Sequence, residues 1–161
     1  MRIYITGYKG FVGGELLKRG FLPLQCNVTS PLEVEMAIKY AKPDLVIHLG
    51  GKSDVDWCED KRNQNELIKV NVEGTYFLFE ALANARIPGA YLSSDQIWQG
   101  GWFEKHRESS KYTPPVNHYG LSKVAAEHQV STQGGKIIRT SYLFNATRLQ
   151  NKIRETEIGI K

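Results

Sequence analysis

Three side chains in the second half of this chain could move a proton together. Ser94 ends an apolar run, and Tyr119 and Lys123 stand four residues apart, the spacing that puts both on one face of a helix. A free phenol titrates near pH ~10, and a neighbouring ammonium stabilises its phenolate and pulls that value down. Such a phenol gives or takes a proton close to neutral pH, while a serine hydroxyl can hydrogen-bond the oxygen that receives it. A second pattern, Thr6-Gly7-Tyr8-Lys9-Gly10-Phe11-Val12-Gly13, follows an apolar stretch at the other end of the chain. There Gly7 can turn the chain with a positive φ, Gly10 leaves room for a phosphate, and Gly13 lets a helix pack closely behind. The N–H groups of that helix's first turn would then face the anion.

These groups need elements to carry them. Residues 2–6 read as a short buried strand, 11–19 as a helix closed by Gly20, and 22–28 as a second strand. Thr29 or Ser30 can cap the next helix, with Pro31 in its first turn and Val34, Ala37 and Ile38 on its inner face. Pro43-Asp44 stops that helix, and residues 45–50 form a strong strand. A long helical run covers roughly 60–86, with Leu67, Val70, Leu78, Phe79 and Leu82 on a broad apolar face. Strand 90–94, a loop over 95–116 holding Trp98 and Trp102, helix 117–131, strand 136–140 and a helical segment at 144–157 complete the reading. This alternation predicts an α/β fold, a doubly wound parallel sheet in three layers, αβα. Each motif then falls just past a strand's carboxyl end, where such folds bind ligands. Residues 1–143 read as a dinucleotide-binding domain, and 144–161 as the start of a further region.

Composition narrows the partners. The chain has 161 residues, 41% of them hydrophobic and 24% charged, which is ordinary globular usage. The net charge of +4 is spread along the chain, which favours solubility over nucleic-acid binding. Cys26 and Cys58 have neither CxxC nor metal-ligand spacing, so reduced thiols in a cytoplasmic setting are expected, with no metal. No stretch approaches the ~20 apolar residues of a membrane helix, and the N-terminus does not read as a signal peptide. Asp54, Asp56, Glu59 and Asp60 read as a solvated helix start, and His48, in an apolar strand, as a satisfied core histidine.

The glycine pattern resembles the TGxxGxxG loop of extended short-chain dehydrogenases/reductases. LSSDQIWQG and PVNHYGLSKVAAE resemble the STDYVFDG-type segment and the PLNxYGxSKxxGE helix of dTDP-4-dehydrorhamnose reductases. DLVIHLGGKSDVDWCED, VNVEGT and IIRTSYLF resemble further segments of that family. The resemblance implies a Rossmann-like NAD(P)(H)-dependent oxidoreductase acting on a keto group of a nucleotide-linked sugar. By it, Thr6, Gly7, Gly10, Phe11, Val12 and Gly13 would touch the pyrophosphate, and Asn27 and Val28 the adenine. Leu49, Gly50, Gly51 and Ser53 would line the adenosine or nicotinamide side, with Ser93 also at the cofactor. Ser94, Tyr119 and Lys123 would be catalytic, the last two also touching the cofactor, and Asn71 would support Lys123.

Departures from the pattern shape these expectations. An acidic residue about 20 positions past the first glycine usually holds the ribose hydroxyls of NAD. Here no Asp or Glu occurs between Glu15 and Glu33, and Lys9 could pair with a 2′-phosphate, as in some NADPH-using relatives such as GDP-fucose synthases. NADP(H) is therefore expected over NAD(H). The segment between the first helix and LQCNVTSP is short, so one strand is expected to be reduced or missing. His48-Leu-Gly-Gly replaces the usual Asn-Ala-Ala-Ala. The chain stops where the family's substrate region would begin, which leaves open a fragment, a minimal protein, or a homodimer or partner chain supplying that region. Two other readings stay open: a non-catalytic binding module, like the regulatory subunit of methionine adenosyltransferase, and an epimerase or dehydratase using Asp95 beside the serine.

Overall fold

The computed structural model describes residues 1–100, 105–107, 109–110, 115 and 117–143. Among them, five strands form one parallel sheet: β1 (Ile3–Thr6), β2 (Leu22–Pro23), β3 (Leu45–His48), β4 (Gly89–Ser94) and β5 (Lys136–Thr140), in the order 2-1-3-4-5. Every pairing is parallel, with Thr6 opposite His48 and Ser94 opposite Thr140. The helices are α1 (Phe11–Leu17), α2 (Pro31–Ala41), α3 (Val55–Glu59), α4 (Gln64–Ile68), α5 (Gly74–Ala85) and α6 (His118–Thr132). Right-handed crossovers put α1 on one face and α2, α5 and α6 on the other, where α2 packs on α5 and α5 on α6. The Rossmann-like αβα architecture is the expected one, and the reversal of strand order beside β1 creates the crevice that such sheets use.

Apolar periodicity builds the core. Leu24, Val34, Ile38, Val46, Leu78 and Leu82 join α2, α5 and the sheet, while Phe79, Tyr91, Ala126 and Val130 join α5, α6 and β4. Each such Val, Leu, Ile or Phe side chain contributes about 1.5–3 kcal/mol on burial. Ser30 caps α2 by accepting from the Glu33 N–H, with Pro31 at the first position, and Asn117 caps α6 by accepting from the Gly120 N–H at 2.7 Å.

Two elements differ from expectation. Only Leu22–Pro23 of the anticipated strand 22–28 pair with the sheet, although the Leu24 N–H still reaches the Ile5 carbonyl. Pro23 has no N–H to donate, and the Asn27 carboxamide oxygen accepts from Thr29 in a tight turn, so the edge strand ends early. This is the reduced strand that the short segment implied. The long helix over 60–86 is broken: a short 3-10 turn precedes α4, and a π-helical turn at Lys69–Glu73 joins α4 to α5. The π turn carries Asn71, which is almost wholly buried. The segment 144–157, Trp102 and the end of the loop before α6 lie outside the described residues.

Helix α6 is tied to β5 by charge. The Glu127 carboxylate, 0% exposed, accepts from Arg139 Nε at 3.0 Å and Nη2 at 2.7 Å in a two-pronged pair. Removing one partner strands a buried charge. Glu127→Ala is expected to cost about 3 kcal/mol in urea unfolding, several times the effect of an exposed charge change.

Candidate active site

The carboxyl ends of β1, β3 and β4 open into one cleft of about 590 Å³. Gly7, Gly10, Phe11, Val12 and Gly13 form one wall, and Leu49, Gly50, Gly51 and Ser53 another. Ser93 and Ser94 at the end of β4, with Tyr119 and Lys123 on α6, form the floor and far side. Residues more than a hundred positions apart in sequence thus share one cleft. Thr6, Lys9, Asn27, Val28 and Asn71 are not on its lining. Thr6 lies buried beneath the glycine loop, and Lys9 and Asn27 are exposed. The Val28 side chain packs against Gly74 of α5, and Asn71 sits behind the cleft.

Close backbone approach explains the glycines. Gly7 has φ +63° and lies so near the end of β3 that a Cβ there would sit 2.6 Å from the Gly50 nitrogen. A Cβ on Gly120 would sit 2.3 Å from the Gln96 carbonyl oxygen, so α6 can start directly against the turn that follows Ser94. Asn117 reinforces that contact through Nδ2, which donates to Gln96 Oε1 at 2.8 Å. The α6 start is also clamped to α3, since Glu59 accepts from the His118 N–H at 2.6 Å and contacts its Nδ1 at 3.0 Å. The acidic stretch 54–60 therefore serves helix starts: Asp54 caps α3, Asp60 caps the next turn, and Glu59 holds α6. Among the described residues no cluster suits a metal ion.

Beneath the cleft, His48 is fully buried and joins two threonines. Its Nδ1 lies 2.5 Å from Thr6 Oγ1 and its Nε2 lies 3.1 Å from Thr75 Oγ1. Thr75 donates its own proton to the Asn71 carbonyl at 2.7 Å, so it accepts from His48, which assigns the imidazole proton to Nε2. Thr6 in turn donates to Nδ1 and accepts from the Leu49 and Gly50 N–H groups. Burial, with Lys123 nearby, pushes the imidazole down to about 3, so it stays neutral. It is a satisfied core histidine.

The proton-moving set is assembled differently from the expected pairing. Lys123 Nζ donates to the Tyr91 hydroxyl at 3.0 Å and to the Leu92 carbonyl at 3.1 Å, and lies 5.7 Å from the centre of the Tyr119 ring. Burial lowers Lys123 to about 8, against an opposing pull from Glu127. Burial also raises the Tyr119 phenol, opposed by a hydrogen bond with Ser94. A lowered phenol beside an ammonium is thus not found, because desolvation outweighs the Ser94 hydrogen bond and the ammonium faces β4. Asn71 reaches the lysine's neighbour, not the lysine: its Nδ2 donates to Ser122 Oγ at 2.9 Å, and its carboxamide brackets the Lys52 backbone. Tyr91, Thr75 and Glu127 escaped the sequence reading; all lie on inward faces where apolar periodicity hides their polar ends.

Ser93 Oγ is buried and has no hydrogen-bond partner among the described residues, although it lines the cleft. An orphaned buried hydroxyl is costly unless something arrives to pair with it. Trp98 Nε1 is likewise buried without a hydrogen-bond partner among the described residues, while the ring anchors the chain after Ser94: it stacks on His106 at 5.0 Å and packs under Arg139.

Sheet order, glycine loop and the helix bearing Tyr119 and Lys123 define a Rossmann-like domain of the short-chain dehydrogenase/reductase kind. The family model of the RmlD substrate binding domain matches residues 1–155, and the chain belongs to that family. It is 29% identical over 159 residues to a dTDP-4-dehydrorhamnose reductase of Sinorhizobium fredii, covering 90% of this chain and 51% of that one. It is 31% identical over 146 residues to a GDP-6-deoxy-D-talose 4-dehydrogenase of Aggregatibacter actinomycetemcomitans, covering 81% and 48%. The crystal structure of the Bacillus anthracis dTDP-4-dehydrorhamnose reductase in complex with NADP superposes with a TM-score of 0.80 at 27% identity, covering 89% and 54%. The chain thus spans about half the length of the curated relatives it matches.

The neutral His48 makes stability depend on pH. An unfolded imidazole titrates near ~6.5, so below that value the unfolded chain takes up a proton that the folded chain refuses. Stability from this group is full above pH ~6.5 and is lost as the pH falls towards the folded value of about 3. Between pH 7 and 5, urea unfolding is expected to show wild type losing about 2 kcal/mol more than His48→Gln.

Proposed function

We propose that this chain binds NADP(H) and provides the cofactor side of a reductase for a keto group on a nucleotide-linked sugar. The observation that carries the reading is the convergence of the glycine loop, the unpaired Ser93 hydroxyl, Ser94, Tyr119 and Lys123 on one cleft. The residues present fit a dinucleotide. Open backbone at Gly7, Gly10 and Gly13 would receive the pyrophosphate, Leu49, Gly50, Gly51 and Ser53 the adenosine or nicotinamide side, and Asn27 and Val28 the adenine, while Ser93 would gain the partner it lacks. Bound NADPH supplies the hydride.

The chain's own groups handle the proton. Tyr119 donates its phenolic hydrogen to the keto oxygen as that oxygen gains charge. Ser94, whose hydroxyl contacts Asp95 Oδ1 at 3.3 Å and accepts from the Gln96 N–H, turns to hold the same oxygen. Below pH about 8 the Lys123 ammonium would lower the cost of the resulting phenolate, and its remaining donor would hold the ribose of a bound cofactor. The shape of the sugar would be read by residues beyond 143, by a second copy, or by a partner chain, in the cytoplasm. The Ser94–Asp95 contact favours one second reading, a sugar-nucleotide dehydratase or epimerase in which Asp95 is the acid.

Two measurements test this. Calorimetric titration is expected to show NADPH binding more tightly than NADH, with Lys9→Ala weakening NADPH about fivefold and leaving NADH unchanged. Binding of neither nucleotide would sink the proposal. In an assay of cofactor oxidation with nucleotide-linked keto-sugars, Tyr119→Phe should lose at least ~100-fold in turnover while keeping its NADPH affinity. Binding without turnover on every such sugar, in wild type as well, would favour the non-catalytic module.

A further inference from the structure

Lys123 is held by a group outside the Ser94–Tyr119–Lys123 set. Its side chain is 6% exposed and has no carboxylate partner for Nζ. An ammonium has three donors. Two of them are committed to β4, one to the Leu92 carbonyl and one to the Tyr91 hydroxyl, and Nζ lies 4.6 Å from the centre of the Tyr91 ring. That leaves one donor without a partner among the described residues, and Lys123 lines the cleft.

Tyr91 is 1% exposed and packs with Phe79, Ala126 and Val130, a setting that a phenylalanine ring would suit equally. A hydroxyl carried into such a core costs free energy unless it is paired. Lys123 and Thr75 both hydrogen-bond it, Lys123 as donor, and the ring is held from β3 by His48, whose imidazole lies 5.6 Å from it at a tilt of 30°. Tyr91 therefore stands between the His48 network under the glycine loop and the lysine in the cleft.

We propose that Tyr91 is a positioning residue: its hydroxyl and ring hold the Lys123 ammonium against β4, charged and aimed with its remaining donor at the cleft. The role in turnover rests on the reductase reading above; the contact itself does not. A neutral acceptor suits the task, because a carboxylate at the same place would cancel the charge that a phenolate at Tyr119 needs. The other ionisable groups around Lys123 leave this role to Tyr91. Glu127, on α6, is already paired with Arg139 of β5. His48, on β3, is neutral, and Cys58, on α3, has its thiol raised by burial. Tyr119, on α6, is likewise raised by burial. Burial pushes the Tyr91 phenol itself upward, so it stays protonated and takes no charge from the lysine.

The test follows the lysine directly. In protein labelled with 13C at lysine Cε, the Lys123 resonance (assigned by its loss in Lys123→Met) is titrated with pH in wild type and in Tyr91→Phe. Removing the acceptor disfavours the charged form, so the Lys123 midpoint is expected to fall by about one pH unit in Tyr91→Phe. An unchanged midpoint would overturn the proposal. If Tyr91→Phe does not fold, the converse experiment decides. The Tyr91 Cζ resonance of 13C-tyrosine protein should shift in Lys123→Met, and its failure to move would count against the contact. With turnover available, Tyr91→Phe should lower kcat about tenfold at pH 8, keep the sugar KM, and move the alkaline limb of the profile to lower pH; an unmoved limb would refute the positioning role. Absence of NADPH binding by wild type would end the reductase reading and leave the Lys123 titration to judge Tyr91 alone.

Discussion

One buried imidazole ties the cleft together. His48 ends β3, and its two nitrogens reach Thr6 at the end of β1 and Thr75 at the start of α5. Through Thr6 it fixes the loop that leaves β1, and through the Leu49 and Gly50 N–H groups the loop that leaves β3. Through Thr75 it reaches the Asn71 carbonyl in the π turn, and the Asn71 carboxamide then holds Ser122, next to Lys123. Thr6, His48, Thr75 and Asn71 are all buried and all hydrogen-bonded along this chain, in an interior where unmade hydrogen bonds are expensive. The two walls of the cleft and the helix at its far side are therefore set relative to one another by one network.

Charge is managed by the same economy of burial. Glu127 and Arg139 face each other in full, so α6 and β5 are joined with no net charge left in the core. Lys123 keeps its charge without a carboxylate on Nζ, and pays for that with a lowered affinity for its proton. Tyr119 rises for the same reason. The cleft thus holds an ammonium easier to deprotonate than usual and a phenol harder to deprotonate than usual, an arrangement set chiefly by desolvation.

The edge of the sheet is where this chain is leanest. With β2 cut to two residues, the segment proposed to meet the adenine is a turn built by Asn27, Thr29 and the capped start of α2. The Asn27 N–H is in turn held by the Glu33 carboxylate from the first turn of α2. A helix cap therefore supports the position that a longer strand would otherwise hold.

Much of this was legible without coordinates. The alternation of periods predicted the parallel sheet, the glycine pattern marked the loop after β1, and the four-residue spacing put Tyr119 and Lys123 on one helix; these are local consequences of backbone sterics and side-chain period. The shortness of the segment before α2 foretold the reduced β2. What the tertiary structure alone decided was the partner of each polar group. Periodicity read residues 60–86 as one helix, because a π turn adds a residue without disturbing the apolar count. It left Tyr91 unmarked within the strand 90–94, because a ring looks apolar until its hydroxyl meets an ammonium thirty-two positions away. It paired Lys123 with Tyr119, because sequence spacing reports nearness along a helix, whereas the direction of an ammonium and the sign of a pKa shift depend on what burial removes from water.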